Sequence, residues 1–351
     1  MIATTPLRST RYEVADDRAA QDLFHERGWT DGLPVVAPTL ARVSACLDAA
    51  LMAPDQVIGI EPVRARPITA EKAAVNAVLA GCEPPHFPVV AAALEAMCRP
   101  AFLLHGATSS TGGCAVLTVV NGPVRRALGM DATFNVLGAG DRASLVIGRA
   151  LRLVLRNVLE LRPGALDRAT LGHPGKFGYC LAEDEEGSGW TPLAELRGAP
   201  AGASAVTVLA AGAPRQIMNE WTTAPEDILE TYAAEMRACM LHYSIWGGNY
   251  AIVVPPQLRR HLEAAGWSKL DVQQFVFERA RVRKSEWSGV GKRALVTPAN
   301  ADEGAAALTS PADLLVVAAG GPAGGFGAVI PPWFGHKSKA VTTGVGVCFD
   351  C

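Results

Sequence analysis

Short runs of aliphatic and β-branched residues recur along the chain, and each run ends at glycine or proline. Such runs lack the polar alternation of a half-exposed strand, so they predict strands that are buried on both faces. They lie at 116–120, 205–209, 252–254 and 314–317. Helical patterns follow the first three runs, at 123–128, 214–220 and 256–265. Strands alternating with helices predict an α/β fold with a mostly parallel or mixed sheet and flanking helices.

Apolar residues at helical spacing predict further helices, over 40–51, 67–81, 88–98 and 143–159. Thr69 has the side chain of an N-cap, and Gly81 fits the stop of the same helix. A short strand is predicted from Leu33 to Val36, because a turn precedes it and Pro38 ends it.

The segment 183–204 is acidic at first and then rich in glycine, proline and alanine, which is typical of a long loop. We therefore predict an N-terminal α/β domain over 1–190 and a C-terminal α/β domain over 200–351. The segment Leu117-x-Val-Val-x-Gly-Pro123 resembles Leu315-Val-Val-x3-Gly-Pro322. This resemblance favours two similar α/β halves.

Composition narrows the class of protein. Apolar residues make up 49% of the chain and charged residues 19%, which is too apolar for disorder. The formal net charge is −2, and no basic stripe that would suit a nucleic acid stands out. No apolar leader and no uninterrupted apolar stretch of about 18 residues is visible. We expect a soluble, cytoplasmic protein with neither a nucleic-acid nor a membrane partner.

Eight cysteines are spread along the chain, and the last two form the pair Cys348-x-x-Cys351. Without a leader, a disulfide framework is not expected. A Cys-x-x-Cys pair brings two thiols within reach of each other, so that one attacks and the other resolves. The alternative is a strand that happens to carry two cysteines. We predict that Cys348 and Cys351 are catalytic.

A second candidate is the segment from His105 to Cys114, which is rich in serine, threonine and glycine. His105 and Cys114 would form an acid–base or nucleophile pair there. The alternative is an ordinary turn before the strand at 116–120.

A third candidate is the glycine-rich loop 320–327, followed by His336 and Lys337. Gly321 and Gly324 would let the backbone approach a substrate, while His336 and Lys337 would supply positive charge near Cys348. Glu183, in an acidic run after an apolar strand, would supply a carboxylate to the substrate or to a metal. A mobile loop and a solvated charge run are the alternatives.

Gly138-Ala-Gly140-Asp-Arg-Ala143 has the loose form of a dinucleotide fingerprint, but no good strand precedes it. No nicotinamide cofactor is therefore expected. The identity of any other cofactor stays open, and a bound metal is compatible with the cysteine, histidine and glutamate candidates.

Several motifs together resemble a largely uncharacterised bacterial family related to the UGSC-type (seleno)proteins. They are Trp29-Thr-Asp-Gly-Leu-Pro-Val-Val-x-Pro-Thr39, Thr69-x-Glu-Lys-x-Ala-x-Asn-Ala-Val-x-Ala-Gly-Cys82, Val120-Asn-Gly-Pro123, Gly178-Tyr-Cys-x-Ala-Glu183 and Ala265-Gly-Trp-Ser-Lys269. The resemblance implies a thiol or selenol redox role. It also adds weight to Cys82 as a catalytic residue and to Asn121, Cys180 and Glu183 as site residues.

Three functions remain open at this point. The first is a cysteine-dependent enzyme that performs thiol/disulfide or carbon–sulfur chemistry on a small molecule with the Cys348/Cys351 dithiol. The second is a metal-dependent lyase or hydrolase with cysteine, histidine and glutamate ligands. The third is a non-catalytic sulfur donor or carrier. A small-molecule substrate is the expected partner, and a homo-oligomer is the default expectation for such proteins.

Overall fold

The computed structural model describes residues 6–243 and 245–346. The α-helices of this part are α1 (Asp17–Glu26), α2 (Leu40–Ala49), α3 (Ala70–Ala80), α4 (Phe87–Cys98), α5 (Leu104–Ser109), α6 (Val124–Ala127), α7 (Arg142–Asn157), α8 (Leu193–Leu196), α9 (Pro225–His242), α10 (Pro256–Ala264), α11 (Lys269–Arg279) and α12 (Glu286–Gly289). The strands are β1 (Val57–Glu61), β2 (Arg66–Thr69), β3 (Ala115–Asn121), β4 (Cys180–Ala182), β5 (Ala205–Ala211), β6 (Arg215–Met218), β7 (Tyr250–Val254), β8 (Arg281–Arg283), β9 (Gly304–Ala306), β10 (Leu314–Ala318), β11 (Phe326–Ile330) and β12 (Val341–Gly344).

Two four-stranded mixed sheets form the centre of the fold. The first sheet has the order β12-β5-β3-β4, and the second sheet has the order β10-β7-β11-β6. Each sheet contains one parallel pair, β3 with β4 or β7 with β10, and its other pairs are antiparallel. The predicted α/β fold with a mixed sheet and flanking helices is confirmed, and the two halves share one pairing pattern.

The sheets pack face to face between two layers of helices. Alternate residues of the strands, such as Leu117 and Val253, meet in a core between the two sheets. The other face of the first sheet packs against α3, α4 and α7, and that of the second sheet packs against α9, α10 and α11. Both faces of each sheet are covered, which explains why the strands read as continuous apolar runs.

Each sheet has one edge strand, β12 or β6, that follows a strand of the other sheet along the chain. β5 of the first sheet leads directly into β6 of the second sheet, and β11 of the second sheet leads into β12 of the first. The two crossings touch, because the Gly212 amide donates to the Pro331 carbonyl over 2.8 Å. The chain therefore crosses between the two sheets twice, at 211–215 and at 330–341. The division into domains over 1–190 and 200–351 stays a prediction.

One edge of this sandwich collects the ends of all four parallel strands. At this carboxyl edge, where β3, β4, β7 and β10 end, the Asp184 amide donates to the Ala318 carbonyl over 2.7 Å. The Gly320 amide donates to the Ala132 carbonyl over 2.8 Å. The opposite side, where these strands begin, is the amino edge. Ligands of α/β sheets generally bind beyond the carboxyl ends of the strands.

Most predicted elements are confirmed, including the helix that Thr69 caps and Gly81 ends in a left-handed conformation. Two predictions are wrong. The predicted helix at 214–220 is strand β6, because Arg215–Met218 pairs with β11. The predicted strand from Leu33 to Val36 is irregular, because its Val36 amide donates to the Leu79 carbonyl at the end of α3 and not to a strand.

Within the described residues, no single helix is long and apolar enough to cross a membrane. The helical segments Pro84–Cys98 and Pro100–Ser109 reach that length only together, and they bend by 74° where they meet. Most of α4 is buried in the core beneath the first sheet.

Candidate functional site at the carboxyl edge

The structure separates the predicted site residues into two groups. Asn121, Glu183, Gly321 and Gly324 lie at the carboxyl edge, and Cys82 lies behind that edge against α7. The amino edge carries the other predicted residues, which are His105, Cys114, His336 and Lys337. Cys348 and Cys351 lie outside the described residues. The two groups therefore do not form one site.

Glu183 is the centre of the carboxyl edge. It directly follows β4, and only 1% of its side chain is exposed. Its Oε2 accepts hydrogen bonds from Asn121 Nδ2 over 2.7 Å and from the Leu193 amide over 2.6 Å. Its Oε1 accepts from the Ala318 amide over 3.1 Å and from the Lys269 ammonium group. Four donors from four elements thus meet on one buried carboxylate.

These donors come from both sheets and from the helices around them. Asn121 ends β3 of the first sheet, Ala318 ends β10 of the second sheet, and Lys269 is the first residue of α11. Ser268 caps α11, and its hydroxyl accepts from the Asp271 amide, so the helix start is fixed. The Glu183 carboxylate therefore ties the ends of the two sheets together.

A second layer of ion pairs surrounds Glu183. Arg125 donates to Glu185 Oε2 over 2.7 Å and to Glu186 Oε1 over 3.0 Å. The hydrogen bond from Arg125 to Glu186 lowers the pKa of Glu186. Asn121 Nδ2 also donates to Glu185 Oε1 over 2.8 Å. The buried Arg259 donates to Asp184 Oδ2 over 2.8 Å. The acidic run after β4 is therefore largely paired and not a solvated charge run.

Glu183 and the amide nitrogen of Asn121 are occupied by partners within the chain. A substrate would have to displace these contacts to reach them directly. Asn121 Oδ1 is buried and has no hydrogen-bond partner among the described residues. Buried polar atoms of this kind usually bind water or a ligand.

A cavity of about 340 Å³ opens beside this network. Its walls come from the loop before α8 and from the turn between α10 and α11. They include Trp190, Leu196, Glu263, Trp267 and Lys269. This volume falls in the range of small-molecule sites.

Gly321 and Gly324 of the loop 320–327 lie close to other side chains of the chain. A Cβ on Gly321 would lie 2.4 Å from the ring of Phe134, and one on Gly324 would lie 2.9 Å from Glu220 Oε1. The close neighbours are side chains of this chain. At these two positions the loop packs against other parts of the chain, where the sequence predicted contact with a substrate.

The described cysteines are all free thiols, and burial raises the pKa of each. Burial raises the pKa of Cys46 and Cys98 to about 11, and that of Cys114 and Cys239 to about 12. It raises the pKa of Cys82 and Cys180 as well. Thiols with a pKa near 11 are ionised at neutral pH in only about one molecule in ten thousand, and the thiolate is the nucleophile.

The amino-edge candidates do not form the predicted pair. Cys114 is buried, and its thiol donates to the Ala107 carbonyl over 2.9 Å. His105 faces the buried Glu61 instead, with 3.4 Å between Nδ1 and Oε1. The ring of His336 packs against Phe334 in a tilted arrangement, with 4.4 Å between ring centroids. Slight burial and the Lys337 and Lys339 ammonium groups lower the pKa of His336.

The described part of the chain contains no cluster of metal-ligating side chains that would support the predicted metal site. No group of three or more histidine, cysteine, aspartate or glutamate side chains is placed there to hold a metal ion. Glu183, the predicted carboxylate ligand, is bound by an ammonium group, an amide group and two backbone amides.

Sequence reasoning missed Lys269 and Arg125 as members of this network. One feature of the sequence pointed to Lys269, because this residue ends the motif Ala265-Gly-Trp-Ser-Lys269. Three of the motifs behind the family resemblance, those that contain Asn121, Glu183 and Lys269, meet at this one point.

No protein-family model matches this chain, and no curated protein matches it significantly. The resemblance to the UGSC-type proteins stays a prediction.

Proposed function

We propose that this protein is a thiol-dependent enzyme that performs disulfide exchange on a small molecule with the Cys348/Cys351 dithiol. The observation that carries the proposal is the course of the last described strand. β12 runs along the first sheet toward the carboxyl edge, and the Val345 amide then donates to the Ser204 carbonyl over 2.9 Å. Ser204 in turn accepts from the Val124 amide over 3.0 Å. The chain thus reaches Gly346 beside the residues that follow β3.

The short segment after Gly346 limits which of the predicted site residues the dithiol can reach. Cys348 is the second residue after Gly346 in the sequence, and two residues of chain span at most about 7 Å. The end of β3 lies two strand spacings from β12, or about 10 Å. The amino edge lies a whole strand away, and the seven residues of β5 span about 20 Å. Gly346 therefore lies nearer to Asn121 and Arg125 than to His105, Cys114 and His336.

The other cysteines support the same assignment by their chemistry. The six that the structure describes have raised pKa values, which keep them protonated at neutral pH. They are also unpaired, as is typical of a reducing compartment, and this supports a cytoplasmic location. We assign reactivity to Cys348 and Cys351 and a packing role to Cys82 and Cys114.

The proposed reaction moves two electrons. The thiolate of one cysteine attacks a sulfur of the substrate disulfide, forms a mixed disulfide and expels the first substrate thiolate. The second cysteine, as thiolate, attacks the mixed disulfide and releases the second substrate thiol. The products are two substrate thiols and a Cys348–Cys351 disulfide, which an external dithiol reduces again.

Trapping of the mixed disulfide tests this proposal. The full chain carrying Cys351→Ser or Cys348→Ser is mixed with 2-hydroxyethyl disulfide and examined by intact and peptide mass spectrometry. We expect one of the two variants to keep a single 2-mercaptoethanol adduct on its remaining C-terminal cysteine, because nothing resolves it. The unaltered chain should instead lose two hydrogens and carry no adduct.

Cys98→Ser is the matched control, since Cys98 is a half-buried thiol. This variant should behave like the unaltered chain. Adducts that form first on Cys82 or Cys114 would contradict the proposal. An adduct that persists on the unaltered chain would support the alternative of a sulfur carrier.

A further inference from the structure

The cavity beside Glu183 has a mixed lining that suits a flat, largely apolar small molecule. Trp190 and Trp267 supply two indoles, and Leu196 and Leu270 supply aliphatic surface. Trp190 is held in place, because its Nε1 donates to the Trp267 carbonyl over 2.7 Å. Trp267 packs against Phe275 with 5.6 Å between ring centroids. Both indoles are therefore fixed before any ligand enters.

Lys269 is the lysine among the residues that line this cavity. Its side chain is 2% exposed, and among the described residues only Glu183 accepts a hydrogen bond from its Nζ. An ammonium group has three donors, so two of them lack a described protein acceptor. Burial lowers the pKa of Lys269, although the Glu183 carboxylate opposes that shift. Burial in a cavity is the setting in which lysines act as nucleophiles.

We propose that Lys269 forms an imine with an aromatic aldehyde or a similar carbonyl compound bound between Trp190 and Trp267. This activity is separate from the disulfide exchange proposed above, because it uses neither Cys348 nor Cys351. The observations that carry it are the cavity, the fixed indoles and an amine with a single carboxylate partner.

The step balances without an external oxidant or reductant. The Lys269 ammonium group transfers one proton to Glu183, and the free amine attacks the carbonyl carbon. The carbonyl oxygen takes a proton from Glu183 as the carbon–nitrogen bond forms. Glu183 then takes the second proton from the nitrogen and delivers it to the hydroxyl group, so that the carbon–oxygen bond breaks and water leaves. The products are one water molecule and the protonated imine, which keeps the third ammonium proton beside the Glu183 carboxylate.

Reductive trapping tests the proposal. The full chain is incubated at neutral pH with benzaldehyde and sodium cyanoborohydride, which reduces an imine to a stable secondary amine. Peptide mass spectrometry then compares the benzylation rates of Lys269 and of the exposed Lys72 and Lys337. We expect Lys269 to react at least about tenfold faster, the factor that about 1.4 kcal/mol of aldehyde binding in the cavity would give. Equal rates at the three lysines would overturn the proposal.

Two variants separate the amine from its surroundings. Lys269→Arg keeps the positive charge beside Glu183 and should lose the label at this position while keeping the circular dichroism spectrum. Thr191→Trp fills the cavity from an exposed wall residue and leaves Lys269 in place. Its label should also fall about tenfold, because the aldehyde loses its binding in the cavity. Undiminished labelling in Thr191→Trp would refute binding in this cavity. The variant that carries both Cys348→Ser and Cys351→Ser should label normally.

Discussion

At the scale of single residues, the buried carboxylate of Glu183 organises the carboxyl edge. Burial of an ion pair costs desolvation energy that only well-placed partners offset. Here Lys269 is 2% exposed, and four hydrogen bonds reach the carboxylate from two sheets and two helices. Removal of one partner leaves the other charge buried and unpaired.

Lys269→Met should therefore lower the free energy of unfolding by about 3–5 kcal/mol. The matched control is Lys284→Met, whose partner Glu303 is mostly exposed, and it should cost about 1 kcal/mol or less. Urea unfolding of both variants measures the difference. Equal costs would show that Glu183 tolerates the loss of its ammonium partner.

The sequence predicted that Glu183 supplies a carboxylate to the site, but it did not predict that this carboxylate is buried. Runs of acidic residues are usually solvated, and the sequence does not show where their partners lie. Asn121 and Lys269 are separated from Glu183 by 62 and 86 residues. They come together only because β3, β4 and β10 end at the same edge of the fold.

At the scale of elements, helix starts and stops were the most predictable features. Thr69, Gly81 and the strand runs act locally, and the structure confirms them. β6 was mistaken for a helix because Pro214 and the polar residues after it fit a helix start equally well. Its pairing with β11 overrides local preference, and that partner lies more than 100 residues away.

Gly122, which directly follows β3, provides a test of how closely these elements pack. It has φ +84°, and a Cβ there would lie 2.4 Å from the Ala203 carbonyl oxygen. Gly198 has φ +91° with no atom within 4 Å of such a Cβ. Gly198→Ala should cost about 1–2 kcal/mol for its backbone conformation alone.

Gly122→Ala adds a collision with the backbone beside β5, which should cost a further 1–3 kcal/mol or so. Thermal unfolding of the two variants gives the comparison. If both glycine variants unfold at the same temperature, the close approach between the end of β3 and residue 203 is not rigid.

At the scale of the whole molecule, two sheets lie between two layers of helices. This arrangement places the Glu183 network at the carboxyl edge and His105, Cys114, His336 and Lys337 at the amino edge. The sequence predicted two similar halves from a short repeated motif, and each half contributes one parallel pair. It did not predict the exchange of β6 and β12, because short apolar strands carry no signal of which sheet they join. That exchange brings the chain to the carboxyl edge before Cys348.

The central claim is that Cys348 and Cys351 form the reactive dithiol. The most direct measurement is the catalysed exchange between 2-hydroxyethyl disulfide and dithiothreitol, above the uncatalysed rate, with the full chain. The variant that carries both Cys348→Ser and Cys351→Ser should lose the catalysed rate completely, while Cys98→Ser should keep it. A catalysed rate that survives in the double variant would contradict the account.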